Sequence, residues 1–350
     1  MKSSKFDEHY NSIDLCKFIM AYAVIVIHVW PLDKLYKYNF IRIYNLLIEL
    51  VVPFFFLASG YLLAVRMNYP YGNESNLLKI RKQLKRIVQM YLTWNAIYLP
   101  LAIYHFISTR TPLKKAVFLY IRGFFFIGEQ YNSWPLWYLL STIYALIVIW
   151  LVLKIKKTTS ALLCISIVSS IVSVGTTMLV NYRGGVLPII GLLQKSIKYS
   201  IANGRIFNGM IYIPIGMLLS YKKTPKALSG MTFVVCIVVN YFTVNSIISS
   251  YLSIFTAIAL FEIVEVIDLK DNEWYAQLRI MSTTIYLTHM YIWTFYYKII
   301  YGEKTYSVDS FLATAVIATV IAIVYSTIVK CKTTSTANNK FLIQEHHYKH

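Results

Sequence analysis

Apolar residues dominate this chain in long runs that polar residues interrupt at short intervals. Each run approaches ~20 residues, the length that an α-helix needs to cross a hydrocarbon core of ~30 Å. The pattern therefore predicts an all-α fold, a polytopic membrane helix bundle of about ten transmembrane helices. The predicted spans are about 13–31, 41–65, 87–108, 135–153, 159–181, 205–221, 228–246, 247–267, 280–301 and 309–330.

The connections between these runs set the predicted topology. Lys and Arg are more frequent in the connections that follow even-numbered spans, and such residues favour the cytoplasmic side. We therefore expect both termini in the cytoplasm and a multi-pass protein of the cell membrane. Residues 1–330 would form one transmembrane domain and residues 331–350 a solvated cytoplasmic tail, since no connection has room for a separate soluble domain.

Two segments leave alternatives open. The uncharged TVNSIISS, residues 243–250, could join two helices of a hairpin or interrupt one broken helix. Residues 109–134 are aromatic and apolar but too short for a full span. We expect them to lie along the outer surface or to dip into the membrane and return.

Composition narrows the class of partner. The chain is 57% hydrophobic and 14% charged, with a formal net charge of +19. A nucleic-acid partner is not expected, because the basic residues lie in short connections and form no continuous basic domain. They are interpreted as topology signals and as contacts for membrane lipids or a cofactor. The four cysteines are scattered without metal-ligand spacing, so neither disulfides nor a metal site is expected, and the C-terminal QEHHYKH does not change this.

The first span, IDLCKFIMAYAVIVIH at residues 13–28, carries ionisable residues within an apolar run. Lys17 and His28 are eleven residues apart, so both leave one face of a helix, ~16 Å apart along its axis. Asp14 lies one turn before Lys17 and can pair with it. A neutral imidazole is a suitable general base near pH 7. The alternatives are a snorkelling Lys17 and a His28 that is satisfied inside the bundle.

Further candidates lie in later spans. Glu49 falls in the outer half of the second span and could orient the first-span imidazole, or face a water-filled vestibule. Trp137 and Tyr138 could stack on a sugar ring, or belong to an interfacial aromatic belt. Arg205 could bind donor or acceptor, or mark the outer end of the sixth span. His289, in the middle of the ninth span, could have a catalytic or substrate-binding role.

Several motifs resemble those of one family. Asp14, Lys17 and His28 form a D-x-x-[RK] start with a histidine eleven residues after the base, which resembles the opening motif of the membrane-bound acyltransferase family 3. The resemblance covers most of the chain in order, through VPFFFLASGYLL (52–63), KQLKRIVQMYLTW (82–94), PLWYLL (135–140), NGRIFNGMIYIPIGMLL (203–219) and IYLTHMYIW (285–293). The Ser-Gly pair at 59–60 in the second motif also favours close helix packing.

The chain departs from the family pattern at three places. Lys17 stands where the family more often has Arg, and lysine binds phosphate as a point charge. Met90 stands where the family usually has proline, and NGR replaces RNG around Arg205. These departures concern donor binding.

The resemblance implies a bacterial enzyme that moves an acyl group, usually acetyl from acetyl-CoA, to a hydroxyl of an envelope polysaccharide or lipid-linked glycan. The family's first-span residues carry over to Lys17 and His28, and its third-span bases to Lys82 or Lys85 and Arg86. These cations would hold the phosphates of coenzyme A, and ~16 Å would let the pantetheine arm present the thioester at His28. His28 would act as general base, with an acyl-histidine intermediate as the other route.

Two other function classes stay open. Buried ionisable residues also form substrate relays, so a transporter or flippase of a polar or glycan substrate is the alternative. The family resemblance extends to the membrane part of a serine racemase with a proposed role in moving serine, which supports this alternative. A structural partner in a glycan-assembly complex would have no need of His28.

Overall fold

The computed structural model describes residues 10–29, 38–156, 158–182, 188–201, 204–221, 224–243 and 247–347, without the side chains of 38, 39 and 332–347. Within these ranges the regular structure is helical, with no strand. The α-helices are α1 Asn11–Val29, α2 Tyr38–Ile48, α3 Val51–Ala64, α4 Glu74–Ser108, α5 Leu113–Arg122, α6 Leu136–Ile155, α7 Thr159–Asn181, α8 Pro188–Ile201, α9 Asn208–Leu219, α10 Lys226–Phe242, α11 Ile247–Glu265, α12 Trp274–Ile300 and α13 Val308–His347.

The structure confirms the predicted class of fold, which is all-helical with helices that can span a membrane. Six helical segments in the described part of the chain are long and apolar enough to cross a membrane: Asn11–Val29, Phe40–Ala64, Leu136–Ile155, Thr159–Asn181, Ile247–Glu265 and Val308–Cys331. The segment Phe40–Ala64 includes most of α2 and all of α3. Two more apolar helices, Arg205–Leu219 and Lys226–Phe242, are shorter. The predicted span at 87–108 falls within the longer helix α4, and the one at 280–301 overlaps α12 up to Ile300. The total of about ten spans and the side of the termini stay predictions.

The helices form two compact units. The first unit contains α2 to α11, which follow one another in the chain. The second unit contains α1, α12 and α13, and so joins the start of the chain to its end. The first predicted span therefore packs on the helix of the ninth.

Helices α3 and α9 approach closely in the first unit because glycines remove the side chains between them. A Cβ atom added at Gly60 would lie 2.0 Å from the carbonyl oxygen of Ile213, and one at Gly216 would lie 2.2 Å from that of Leu57. Small residues let membrane helices gain van der Waals contact between their backbones. This confirms the close packing expected at residues 59–60.

We expect Gly60→Ala to destabilise the chain by about 1–3 kcal/mol, because the added methyl group must push two backbones apart. Gly230→Ala in α10 is the matched control, since a Cβ there meets nothing within 4 Å. Thermal unfolding of the detergent-solubilised chain measures both. Equal unfolding temperatures for the two variants would contradict the close contact.

Residues 109–134 fold back against α4 and α6. After α5 the chain makes a π-helical turn, Gly123–Ile127. The hydroxyl of Tyr91 donates to the carbonyl of Phe124 at 2.6 Å, and that of Tyr144 donates to the carbonyl of Phe125. Since Tyr91 and Tyr144 lie within predicted spans, these contacts favour the segment that dips in and returns.

Helices α10 and α11 pack side by side, which favours the hairpin over one broken helix. Asn240 joins them: its side chain donates to the Ser253 hydroxyl at 3.0 Å and accepts from the Ser249 hydroxyl at 2.6 Å. Part of TVNSIISS, residues 244–246, lies outside the described residues.

Candidate active site

Two histidines from opposite ends of the chain meet in the second unit. The imidazole rings of His28 on α1 and His289 on α12 are 5.5 Å apart between centroids, with 15° between their planes. His289 is fully buried. The structure therefore brings together the histidine predicted as the base and the one predicted to have a catalytic or substrate role.

The backbone of α12 sets the tautomer of His289. Its Nδ1 lies 2.8 Å from the carbonyl oxygen of Tyr286 and 3.2 Å from that of Ile285. A carbonyl only accepts, so Nδ1 carries the proton in this assignment and the neutral ring has its lone pair on Nε2. That Nε2 is buried and has no hydrogen-bond partner among the described residues. It is available to accept a hydrogen bond from a group that enters the site.

The other end of the same helix pair holds a buried carboxylate between two cations. Arg279 of α12 donates from both Nε and Nη2 to Oδ2 of Asp14, at 2.9 and 2.6 Å. Lys17 lies 3.9 Å from Oδ1 of the same carboxylate. The Asp14 side chain is 2% exposed, against 45% for Arg279. The expected Asp14–Lys17 pair is therefore present but weaker than the pair with Arg279, which has two short hydrogen bonds.

Helix α1 runs without interruption from the Asp14–Arg279 ion pair to the histidine pair. It is a continuous α-helix from Asn11 to Val29, as the spacing argument for Lys17 and His28 requires, so ~16 Å separates the two residues along its axis. Between them, Ala21, Val24 and Ile25 are buried. One face of α1 thus carries the Lys17 ammonium, then the buried apolar side chains, and then the His28 imidazole.

Arg279 is a residue that the sequence did not predict for the site. Its place at the beginning of a predicted span made it one more topology signal. The available signal was its spacing, since Arg279 precedes His289 by ten residues much as Lys17 precedes His28 by eleven. Because Arg279 meets Asp14 and His289 meets His28, α1 and α12 run in the same direction.

The three cations predicted to bind the donor lie on α4 in the first unit. Lys82, Lys85 and Arg86 are exposed and share one face of the helix, at positions i, i+3 and i+4. Lys17 belongs to the second unit, so a phosphate site shared with Lys17 stays a prediction.

Tyr138 is held by hydrogen bonds to α3. Its hydroxyl lies 2.9 Å from the Ser59 hydroxyl and donates to the carbonyl of Phe55 at 3.3 Å. Its ring packs against Phe56 at 4.5 Å between centroids. The aromatic face is therefore used in packing, and the hydroxyl is the polar end of this residue.

Trp137 and Arg205 form a cluster with an acid that the sequence analysis did not single out. Arg205 Nη2 donates to Glu129 Oε2 at 2.8 Å, and its guanidinium carbon lies 5.3 Å from the centre of the Trp137 ring. Trp137 is 8% exposed. Glu129 follows Gly128, whose φ of 78° turns the chain toward this cluster. The sequence of this short connection carries no signal that distinguishes Glu129 from an ordinary solvated acid.

Glu49 belongs to a polar network of the first unit. Its Oε2 accepts from the Ser253 hydroxyl at 3.1 Å, and Ser253 in turn accepts from Asn240. On the preceding helix α2, the guanidinium carbon of Arg42 lies 4.6 Å from the centre of the Tyr241 ring, and its Nη2 is buried without a hydrogen-bond partner among the described residues. His28 lies in the second unit, so orientation of the imidazole by Glu49 stays a prediction.

The family model for an acyltransferase domain, that of acyltransferase family 3, matches residues 10–330. The chain belongs to acyltransferase family 3. All the candidate residues described above lie within the matched region of this family member. A comparison with solved structures finds no match.

Curated relatives cover only part of this family 3 chain. An amino-acid racemase of Enterococcus faecalis is 30% identical over 146 residues, which is 41% of this chain and 20% of the relative. A second amino-acid racemase of that organism is 26% identical over 148 residues, 42% of this chain and 19% of the relative. A serine/alanine racemase of Enterococcus gallinarum is 38% identical over 98 residues, 27% of this chain and 13% of the relative. The matches span a fifth or less of each relative.

Proposed function

We propose that this family 3 protein is a membrane O-acetyltransferase that moves an acetyl group from acetyl-CoA to a hydroxyl of a cell-envelope polysaccharide or lipid-linked glycan. His28 takes the proton of the acceptor hydroxyl while the oxygen attacks the thioester carbonyl. The new ester bond forms as the carbon–sulfur bond breaks, and the thiolate of coenzyme A leaves and takes up a proton.

The arrangement of α1 and α12 is the observation that carries this proposal. At the Asp14 end of the two helices lie the cations Lys17 and Arg279, which suit the phosphates of the donor. About 16 Å further along α1, His28 lies beside His289. The buried Nε2 of His289 also supports a transfer reaction at this site. Its lone pair can accept a hydrogen bond from the acceptor hydroxyl or from the protonated form of His28.

Mass analysis of cell-surface glycans with and without the gene tests this function. We expect an acetyl-sized difference that disappears on mild base treatment, because an ester is base-labile. The purified chain should also release free coenzyme A from acetyl-CoA when acceptor is present. Identical glycan spectra together with no acceptor-dependent release would contradict the proposal.

A transporter is the second candidate, and the Arg42–Glu49 side of α2 favours it. Both residues lie in the apolar segment Phe40–Ala64, Arg42 on α2 and Glu49 in the turn that follows it, and ionisable groups in such segments usually serve a function. The similarity to amino-acid racemases, one of them a serine/alanine racemase, is compatible with a polar substrate. Uptake of labelled serine into proteoliposomes that lack acetyl-CoA would favour this candidate over transfer chemistry.

A further inference from the structure

An apolar groove opens along the side of the first unit, between α6 and α7. Its volume is about 670 Å³. Phe207 and Met210 also line it. Val148 and Val152 of α6 form one wall, four residues apart on one face of the helix, and Lys156, the residue directly after α6, also lines the groove. Its α7 wall is the stripe Ala161, Cys164, Ile165, Val168, Ser169 and Val172.

The dimensions of the groove match one acyl chain of a lipid. From Ala161 to Val172 the α7 wall extends ~16 Å along the helix axis. One leaflet contributes half of a ~30 Å hydrocarbon core, so a chain of one leaflet has about this length. Both walls belong to helices that are long and apolar enough to cross a membrane, so the groove faces the region where lipid chains lie.

A cation and hydroxyls stand at one end of this otherwise apolar groove. Lys156 is exposed there and has no ion-pair partner among the described residues. Thr158 and Ser160 line the same end, and Ser160 donates to the Thr158 hydroxyl at 3.0 Å, which leaves the Thr158 hydrogen free to donate. A positive charge with adjacent hydroxyl donors at the mouth of a chain-sized groove is complementary to a phosphate on an acyl chain.

We propose that this groove binds one anionic phospholipid, with an acyl chain along α7 and the phosphate at Lys156. The lysine lies on the side predicted to be cytoplasmic, where anionic lipids attract basic residues. Neutral phospholipids carry the same chains but no net negative charge, so the groove selects by its charged end. This binding is independent of the acyl-transfer reaction and uses none of its residues.

Native mass spectrometry of the full chain, released from detergent with equal amounts of phosphatidylglycerol and phosphatidylcholine, tests the proposal. We expect one phosphatidylglycerol to be retained in preference. Lys156→Gln should weaken that retention about fivefold, the effect of one basic residue near a lipid surface. Lys154→Gln is the matched control, because Lys154 points to the Trp150 ring, 5.2 Å away, and does not line the groove.

A second pair of variants tests the chain-binding part. Ala161→Trp fills the groove and should abolish retention of the lipid, whereas Leu163→Trp, on an exposed part of α7 outside the groove, should leave it unchanged. Equal retention of the two lipids, or no effect of Lys156→Gln, would overturn the proposal. Formation of a Cys164–Cys164 disulfide dimer under mild oxidation would also overturn it, since this groove would then be covered by a second copy.

Discussion

Replacing His28 by alanine is expected to abolish acyl transfer by the purified chain while leaving it folded. Removal of a general base lowers a transfer rate by roughly 10²–10⁴-fold. The loss should occur in the rate at saturating acetyl-CoA, because the imidazole acts on the acceptor proton and not on the donor phosphates. Release of free coenzyme A in the presence of acceptor measures the rate. An acyl-histidine route predicts the same loss, so the variant tests His28 under either mechanism.

His28→Gln and His105→Ala are the companion variants. Glutamine keeps a hydrogen-bonding side chain but cannot serve as a base near pH 7, so it should be as inactive as alanine. His105 belongs to the first unit, where its ring stacks on that of Tyr131 at 4.3 Å between centroids, and its loss should leave the rate unchanged. Full activity of His28→Gln would show that residue 28 contributes packing and not proton transfer.

Replacing Arg279 by alanine is expected to destabilise the chain by about 3 kcal/mol. The change leaves the Asp14 carboxylate buried without its two short hydrogen bonds, and loss of one partner of a buried pair typically costs ~3–5 kcal/mol. We expect the lower end of this range because Lys17, 3.9 Å away, still offsets part of the charge. Thermal unfolding of the solubilised chain measures the effect.

The Lys330–Glu273 pair supplies the control. Its nitrogen–oxygen distance of 2.8 Å is that of a well-formed ion pair, but its side chains are 54% and 82% exposed. Lys330→Ala should therefore lower the stability much less than Arg279→Ala does. The double variant Asp14→Asn, Arg279→Gln should recover most of the stability lost in Arg279→Ala, since no buried charge then remains. Equal unfolding temperatures for Arg279→Ala and Lys330→Ala would contradict a structural role of the buried pair.

The sequence predicted the first-span geometry because that geometry is local. Lys17 and His28 lie on one helix, and helical periodicity alone places them on one face at ~16 Å. The main partner of Asp14 was not predictable in the same way. The nearest cation in sequence is Lys17, but the guanidinium of Arg279 reaches the carboxylate with two parallel donors, a geometry that an ammonium cannot match.

The sequence by itself determined the helical membrane class, the positions of the apolar helices and the family, because run length, periodicity and motif order are properties of a continuous stretch of chain. Only the tertiary structure decided that His289 lies against His28 and that Arg279 joins Asp14. It also decided that glycines set the approach of α3 and α9 and that α6 and α7 leave a groove ending at Lys156. These features depend on which helix faces pack together, which is decided by the shapes of residues far apart in the chain.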